Sequence, residues 1–169
     1  LSLIGSVTTD WPKIKSGKYE VKKGQSAFDI ARMLRNGKQA EIRLVINKFR
    51  TTSDLAKLIG KQFSTDSTMA MQFLTSNDSL QQFAVDTTQL FTLIIPDTYI
   101  FYWNTPLVKI MRKLKENSDL FWQKNNRLAK AQSKGLSKDE AYTLASIVEE
   151  ETNFDSDKYK IASVYLNRL

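Results

Sequence analysis

Apolar residues recur at helical spacing over most of the chain, and short stretches of strict alternation interrupt them. Glu41-Ile42-Arg43-Leu44-Val45-Ile46 alternates, with Ile42, Leu44 and Ile46 on one face, and predicts a half-buried strand. Lys18-Tyr19-Glu20-Val21 reads as a shorter strand, followed by a turn at Gly24-Gln25. Between them, Ser26 is placed to cap a helix whose apolar positions are Phe28, Ile30, Ala31 and Leu34. Gly37 sits where a left-handed helix end is expected. From Phe49 onward the pattern is helical. Thr51-Thr52-Ser53 caps a helix with Leu55, Leu58 and Ile59, and Ser64-Thr65-Asp66 caps one with Met69, Met71, Phe73 and Leu74. The methionines read as core filling. Asn77-Asp78-Ser79 opens a short helix with Leu80, Phe83 and Ala84.

Pro96 stops regular structure, and a dense aromatic group, Tyr99-Ile100-Phe101-Tyr102-Trp103, follows it. That segment is compatible with a buried turn and strand, or with the wall of a groove suited to sugar rings. Thr105-Pro106 starts a helix predicted to reach about Lys134, with Leu107, Ile110, Met111, Leu114, Leu120, Phe121 and Leu128 as core positions. After Gly135, Ser137-Lys138-Asp139-Glu140 is a capping box that launches the next helix, expected to end near Asn153. A last helix from about Asp157 is expected to bury Ile161, Val164, Tyr165 and Leu169, with Arg168 projecting inward. The predicted fold is α+β. A small strand-helix-strand module covers residues 1–48, and a mostly helical portion covers 49–169.

The helix launched by Ser137 breaks its own pattern at its end. At about 100° per residue, Ala141, Leu144, Ile147 and Val148 form one apolar stripe, and Glu151 falls on it. Glu149 and Glu150 fall off it. A carboxyl on an apolar face is expected to be desolvated, which favours its protonated form and suits a general acid. The same placement also fits a boundary residue, or a carboxylate paired with a buried arginine.

Composition narrows the chemistry. The 169 residues contain neither histidine nor cysteine, which excludes an imidazole base, a Ser-His-Asp triad, a thiol nucleophile, a disulfide and His- or Cys-based metal sites. Carboxylates, lysines, tyrosines and hydroxyls remain, and neither a metal nor a cofactor is expected. A net charge of +7 suits nucleic acid, anionic lipid or an anionic polymer such as a cell wall. The lysines are dispersed and no nucleic-acid-binding motif accompanies them, so nucleic acid is not expected as a partner. The chain begins without methionine or a signal layout, and its last helical pattern stops without a cap. It is expected to be a piece of a longer protein.

Gly17-Lys18-Tyr19, Gly37-Lys38, Ile-Pro-Asp-Thr-Tyr at 95–99, Leu-Ala-Ser-Ile-Val-Glu-Glu-Glu-Thr at 144–152 and Ala-Ser-Val-Tyr-Leu-Asn-Arg-Leu at 162–169 occur in that order. Together they resemble the YceG-like endolytic murein transglycosylases, the MltG family, over nearly the whole chain. Residues 18–46 are similar to the second half of that family's LysM-like module.

The resemblance implies a bacterial inner-membrane protein with a single N-terminal anchor outside this chain and its catalytic region in the periplasm. It implies cleavage of nascent peptidoglycan between N-acetylmuramic acid and N-acetylglucosamine, leaving 1,6-anhydro-muramic ends, with peptidoglycan synthases as further partners. Glu151 matches the family's catalytic glutamate. Glu149 matches a second family acid, and Glu150 stands where a lysine is common. Asn167 and Arg168 match the Asn-Arg-Leu motif and are expected in glycan contact and carboxylate pairing, and Asp97 and Tyr99 are expected to support the site. Because the family's chain runs beyond this motif, the 169 residues alone are expected to have little or no glycan-cleaving activity. Two other functions remain open: a non-catalytic peptidoglycan-binding module, and an aminodeoxychorismate lyase, a label the family has carried. The lyase would need pyridoxal phosphate and a Schiff-base lysine, and no lysine here lies in a suitable glycine-rich phosphate context.

Overall fold

The structure, a computed structural model, describes residues 14–168. The fold is α+β, as expected, and it divides into two compact units. The first contains residues 14–75 and 96–110, and the second contains residues 76–95 and 111–168.

In the first unit, helix α1 (Ala27–Arg35) starts at Ser26, whose hydroxyl accepts the Asp29 N–H. It ends at Gly37, which takes the left-handed conformation (φ +62°) while the Lys38 N–H returns to the Met33 carbonyl. Strand β1 (Glu41–Ile46) pairs antiparallel with β2 (Asp97–Tyr102), Leu44 opposite Tyr99 and Ile42 opposite Phe101. Alternation turns Leu44, Ile46, Tyr99 and Phe101 inward onto helix α2 (Thr52–Gln62). There Leu55, Ala56, Ile59 and Phe63 close the core, with the Phe63 ring edge-on to Phe101 at 5.6 Å. Helix α3 (Ser67–Leu74), capped by Asp66, packs on α2 through Ala70 and Leu74. The approach is close: a side chain at Gly60 would run into the Ser67 backbone.

Three expectations fail in this unit. Lys18–Val21 forms no regular strand; its backbone tie is the Ala40 N–H to the Lys18 carbonyl, and β1 pairs instead with the aromatic segment. Val21 is exposed, so the stretch buries too little apolar surface to hold a ladder. Phe28 lies 60% exposed, its ring under the Arg32 guanidinium at 4.9 Å. Met69 and Met71 are on the outer side of α3, where small Ala70 makes the close contact instead.

In the second unit, helix α4 (Asn77–Gln81) leads to a 3₁₀ turn, Leu90–Leu93, and an extended pair, Ile94-Ile95. These bury Leu90, Leu93 and Ile94 together with Leu80, Phe83, Met111 and Leu114. Helix α5 (Leu107–Gln123) begins after Pro106, as expected, and crosses from the first unit into the second. Buried Ser118 on α5 donates to the Thr92 carbonyl. The helix predicted to reach Lys134 is broken at Asn125 and Asn126, both left-handed. Asparagine tolerates that conformation, and the Arg127 guanidinium caps the α5 end by donating to the Phe121 and Lys124 carbonyls. Past the break, α6 (Arg127–Gln132) takes a new direction. Leu128, expected in the core, is on the surface, and so is Leu120 (64% exposed), which helical phase turns away from the buried face of Ile110, Leu114 and Ser118.

Helix α7 (Lys138–Glu151) is launched by the Ser137–Glu140 capping box. It is fastened to the segment before Pro96 at two points. Tyr142 donates to the buried Ile94 carbonyl at 2.9 Å, and the Gln89 carboxamide donates to Asp139 at 3.1 Å. Helix α8 (Asp155–Leu166) packs back on α7 after a short turn in which Thr152 Oγ1 accepts the Phe154 N–H. None of its residues is fully buried, and Val164, expected inside, is half exposed. Leu169 lies outside the described residues.

Candidate active site

The acidic end of α7 and the facing side of α8 form the candidate site. The stripe that aims Glu151 inward exists, but it is only partly covered. Val148 is buried and Leu144 half-buried, while Ile147 is 39% exposed and Glu151 is exposed. The expected desolvation of Glu151 by its own chain is therefore absent among the described residues. The physical reason is the small cover that α8 provides, since it has no fully buried residue to lay over the stripe.

Glu149 and Glu151, the two acids singled out in the sequence, have different partners. Glu149 Oε2 is 2.7 Å from the Lys158 ammonium, which also holds Asp155 at 2.9 Å. These hydrogen bonds and charges push the Lys158 ammonium above its ordinary lysine value, the bond to Glu149 contributing most. Glu151 Oε1 instead accepts a hydrogen bond from the Tyr165 phenol at 3.1 Å. That bond and the carboxylate's charge push the Tyr165 hydroxyl above its ordinary value. One acid is thus clamped by a cation, and the other meets a neutral donor.

Of the remaining expected residues, Asn167 caps the C-terminus of α8, its N–H donating to the Ser163 and Tyr165 carbonyls. Arg168 follows it, exposed, and pairs with no carboxylate among the described residues; its charge acts on Tyr165 at longer range. Asp97 and Tyr99 belong to the first unit. Asp97 is exposed and its carboxylate accepts the Thr98 N–H at 2.7 Å. Tyr99 is only 4% exposed, stacked beside Phe101, so its ring serves the sheet's inner face and offers no open wall. The aromatics that face outward in this segment are Tyr102 (49% exposed) and Trp103 (37%).

Sequence reasoning missed Lys158 and Tyr165 as partners of the two acids. Lys158 carried a signal, its i,i+3 spacing from Asp155. Tyr165 carried none, since its contact depends on how α8 folds back onto α7. No group of acids among the described residues is arranged to hold a metal ion.

The YceG-like family profile matches residues 2–169. The chain belongs to the YceG-like family. Among solved structures it is similar to a YceG-like protein of Listeria monocytogenes, lmo1499, with a TM-score of 0.62 and 22% sequence identity. The match covers 92% of this chain and 56% of that one, so the chain spans little more than half the length of this relative. No curated protein matches. At this identity the likeness establishes the shared fold.

Proposed function

We propose that this chain carries the acid/base carboxylate of an endolytic lytic transglycosylase, and that this carboxylate is Glu151. The observation that carries the reading is the unequal partnership of the two acids. Glu149 is committed to Lys158, whereas among the described residues Glu151 meets the Tyr165 hydroxyl alone and is exposed.

The chemistry needs one such group. A protonated Glu151 gives its proton to the glycosidic oxygen between N-acetylmuramic acid and N-acetylglucosamine as that bond breaks. Its conjugate base then takes the proton of the muramic C6 hydroxyl, which closes on C1 to give the 1,6-anhydro end. No water attacks, so the second carboxylate of ordinary glycosidases is dispensable. A glycan strand laid over the α7–α8 face would displace water from the acid, and covering a carboxyl in this way favours its protonated form. The missing cover would then come from the substrate and from the rest of the catalytic domain.

Within this proposal, residues 1–48 serve as a partial LysM-like module. The protein acts in the periplasm from an inner-membrane anchor, on nascent strands supplied by peptidoglycan synthases. The test is Glu151→Gln in the full-length protein, with muropeptide products analysed for anhydro-muramic ends. Loss of general acid catalysis predicts a fall of roughly 10²–10⁴-fold. Undiminished product would overturn the assignment.

The exposure of Glu151 also favours a second reading, a non-catalytic peptidoglycan-binding module, with Tyr102 and Trp103 as outward aromatics. Glycan pull-down that survives Glu149→Gln and Glu151→Gln, in a full-length protein without turnover, would support it.

A further inference from the structure

All of the chain's excess positive charge belongs to one unit. Residues 1–75 with 96–110 hold 14 basic and 7 acidic side chains, while 76–95 with 111–169 hold 11 of each. The basic unit also contains a cleft of about 440 Å³, formed by the 20–25 segment, α1 and residues 36–40. Lys22, Arg32 and Lys38 line it, together with Glu20 and Asp29. None of Glu20, Lys22, Arg32 and Lys38 forms an ion pair with a described residue. Asp29 is already engaged: the Ser26 hydroxyl donates to it at 2.6 Å, and this bond is the main cause that holds its carboxyl below the usual range. The cleft therefore presents three cations against two carboxylates, with Arg32 also lying over the Phe28 ring and acting on Asp29, and its balance is positive.

Its walls are preorganised. The Lys22 N–H donates to Gln25 Oε1 at 2.8 Å while the Gln25 N–H returns to the Lys22 carbonyl, and Gly24 between them has φ +92°. On another side, the left-handed Gly37 turns Lys38 back along α1. The Gln39 side chain, which also lines the cleft, packs against Gly17. Its buried Oε1 meets no donor among the described residues. Fixed walls lower the ordering cost of binding a flexible ligand.

We propose that this cleft binds a short peptide bearing two or more carboxylates and one ammonium. Carboxylates pair with Lys22, Arg32 and Lys38, and the ammonium goes to Glu20. The source to which this chemistry points is the peptide stem carried by peptidoglycan strands. That assignment of source, though not the cleft's chemistry, rests on the proposed function.

The experiment is a backbone-amide NMR titration of the 169-residue chain with N-acetyl-L-alanyl-γ-D-glutamyl-L-lysine, with neutral tri-N-acetylchitotriose as a second ligand. The peptide is expected to shift amides in 20–25, 29–33 and 36–40, and Arg32→Gln with Lys38→Gln to weaken it at least tenfold. Lys130→Gln with Lys134→Gln, in the neutral unit, should leave binding unchanged. The proposal is overturned by three results: no cleft shifts at millimolar peptide, binding indifferent to the Arg32 and Lys38 changes in a variant with an otherwise intact spectrum, or occupancy by the neutral glycan in place of the peptide. The readout involves no turnover. Peptide binding retained by Glu151→Gln therefore separates this site from the transglycosylase assignment, and each can fail without the other.

Discussion

The Tyr165 phenol donates to Glu151 Oε1 across 3.1 Å, joining the last residue of α7 to a residue near the end of α8, fourteen positions along the chain. The bond stabilises the protonated phenol, because an ionised phenol would lose its acceptor and face a carboxylate. Tyr165 therefore titrates above the ordinary tyrosine value of 10.0, with Glu151 as the main cause. Glu151→Gln removes the negative charge and should bring Tyr165 back down toward that value. The difference in ultraviolet absorbance between the two proteins, followed through alkaline pH, isolates this one phenol. Superimposable titrations would show that the contact is not populated in solution.

Lys158 makes a prediction of opposite chemistry. Its ammonium is raised above 10.5 by Glu149 and Asp155, so it binds its proton more tightly folded than unfolded. Stability from this group is complete below the unfolded lysine value and is lost as pH rises through the higher folded one. Thermal midpoints of the wild type and Lys158→Met should thus differ by a constant amount from neutrality to about pH 10, then converge at higher pH. A gap that widens with alkalinity would contradict the bridge.

How much of this was legible in the sequence depends on whether a feature is local. The Ser137–Glu140 box, the Ser26 cap, the Gly37 turn and the phase of Glu151 each need only a few neighbouring residues, and each is readable. The pairing of β1 with β2 joins Leu44 to Tyr99 across a long insertion, and no periodicity encodes it. That pairing sent Tyr99 into the core. The exposure of Glu151 is non-local as well. Helical phase says which way a side chain faces, but whether anything lies there depends on α8 and on whatever else packs against it.

Helix α7 carries both acids, so its fastening is open to test. Ser137 accepts the Glu140 N–H, and Glu140 accepts the Ser137 N–H at 2.8 Å. Ser137→Ala removes one half of the box and should cost about 1 kcal/mol in urea unfolding. Tyr142→Phe acts at the same helix by leaving the buried Ile94 carbonyl without its donor, at about 1–3 kcal/mol. A free energy unchanged by both would mean that neither contact holds α7.

The division of charge between the units bears on how the protein meets a polyanion. With 14 bases against 7 acids in one unit and 11 of each in the other, long-range attraction acts on the first unit alone. Exposed charges act over about 10 Å at 0.1 M salt and about 3 Å at 1 M. Binding of the chain to isolated peptidoglycan, measured by co-sedimentation, should therefore weaken steeply between those salt concentrations. Lys22→Glu with Lys23→Glu should weaken it at low salt, whereas Lys130→Glu with Lys134→Glu should change it less. Because the two pairs remove equal charge, a mere dependence on net charge predicts equal losses. Only attraction confined to the first unit predicts the difference.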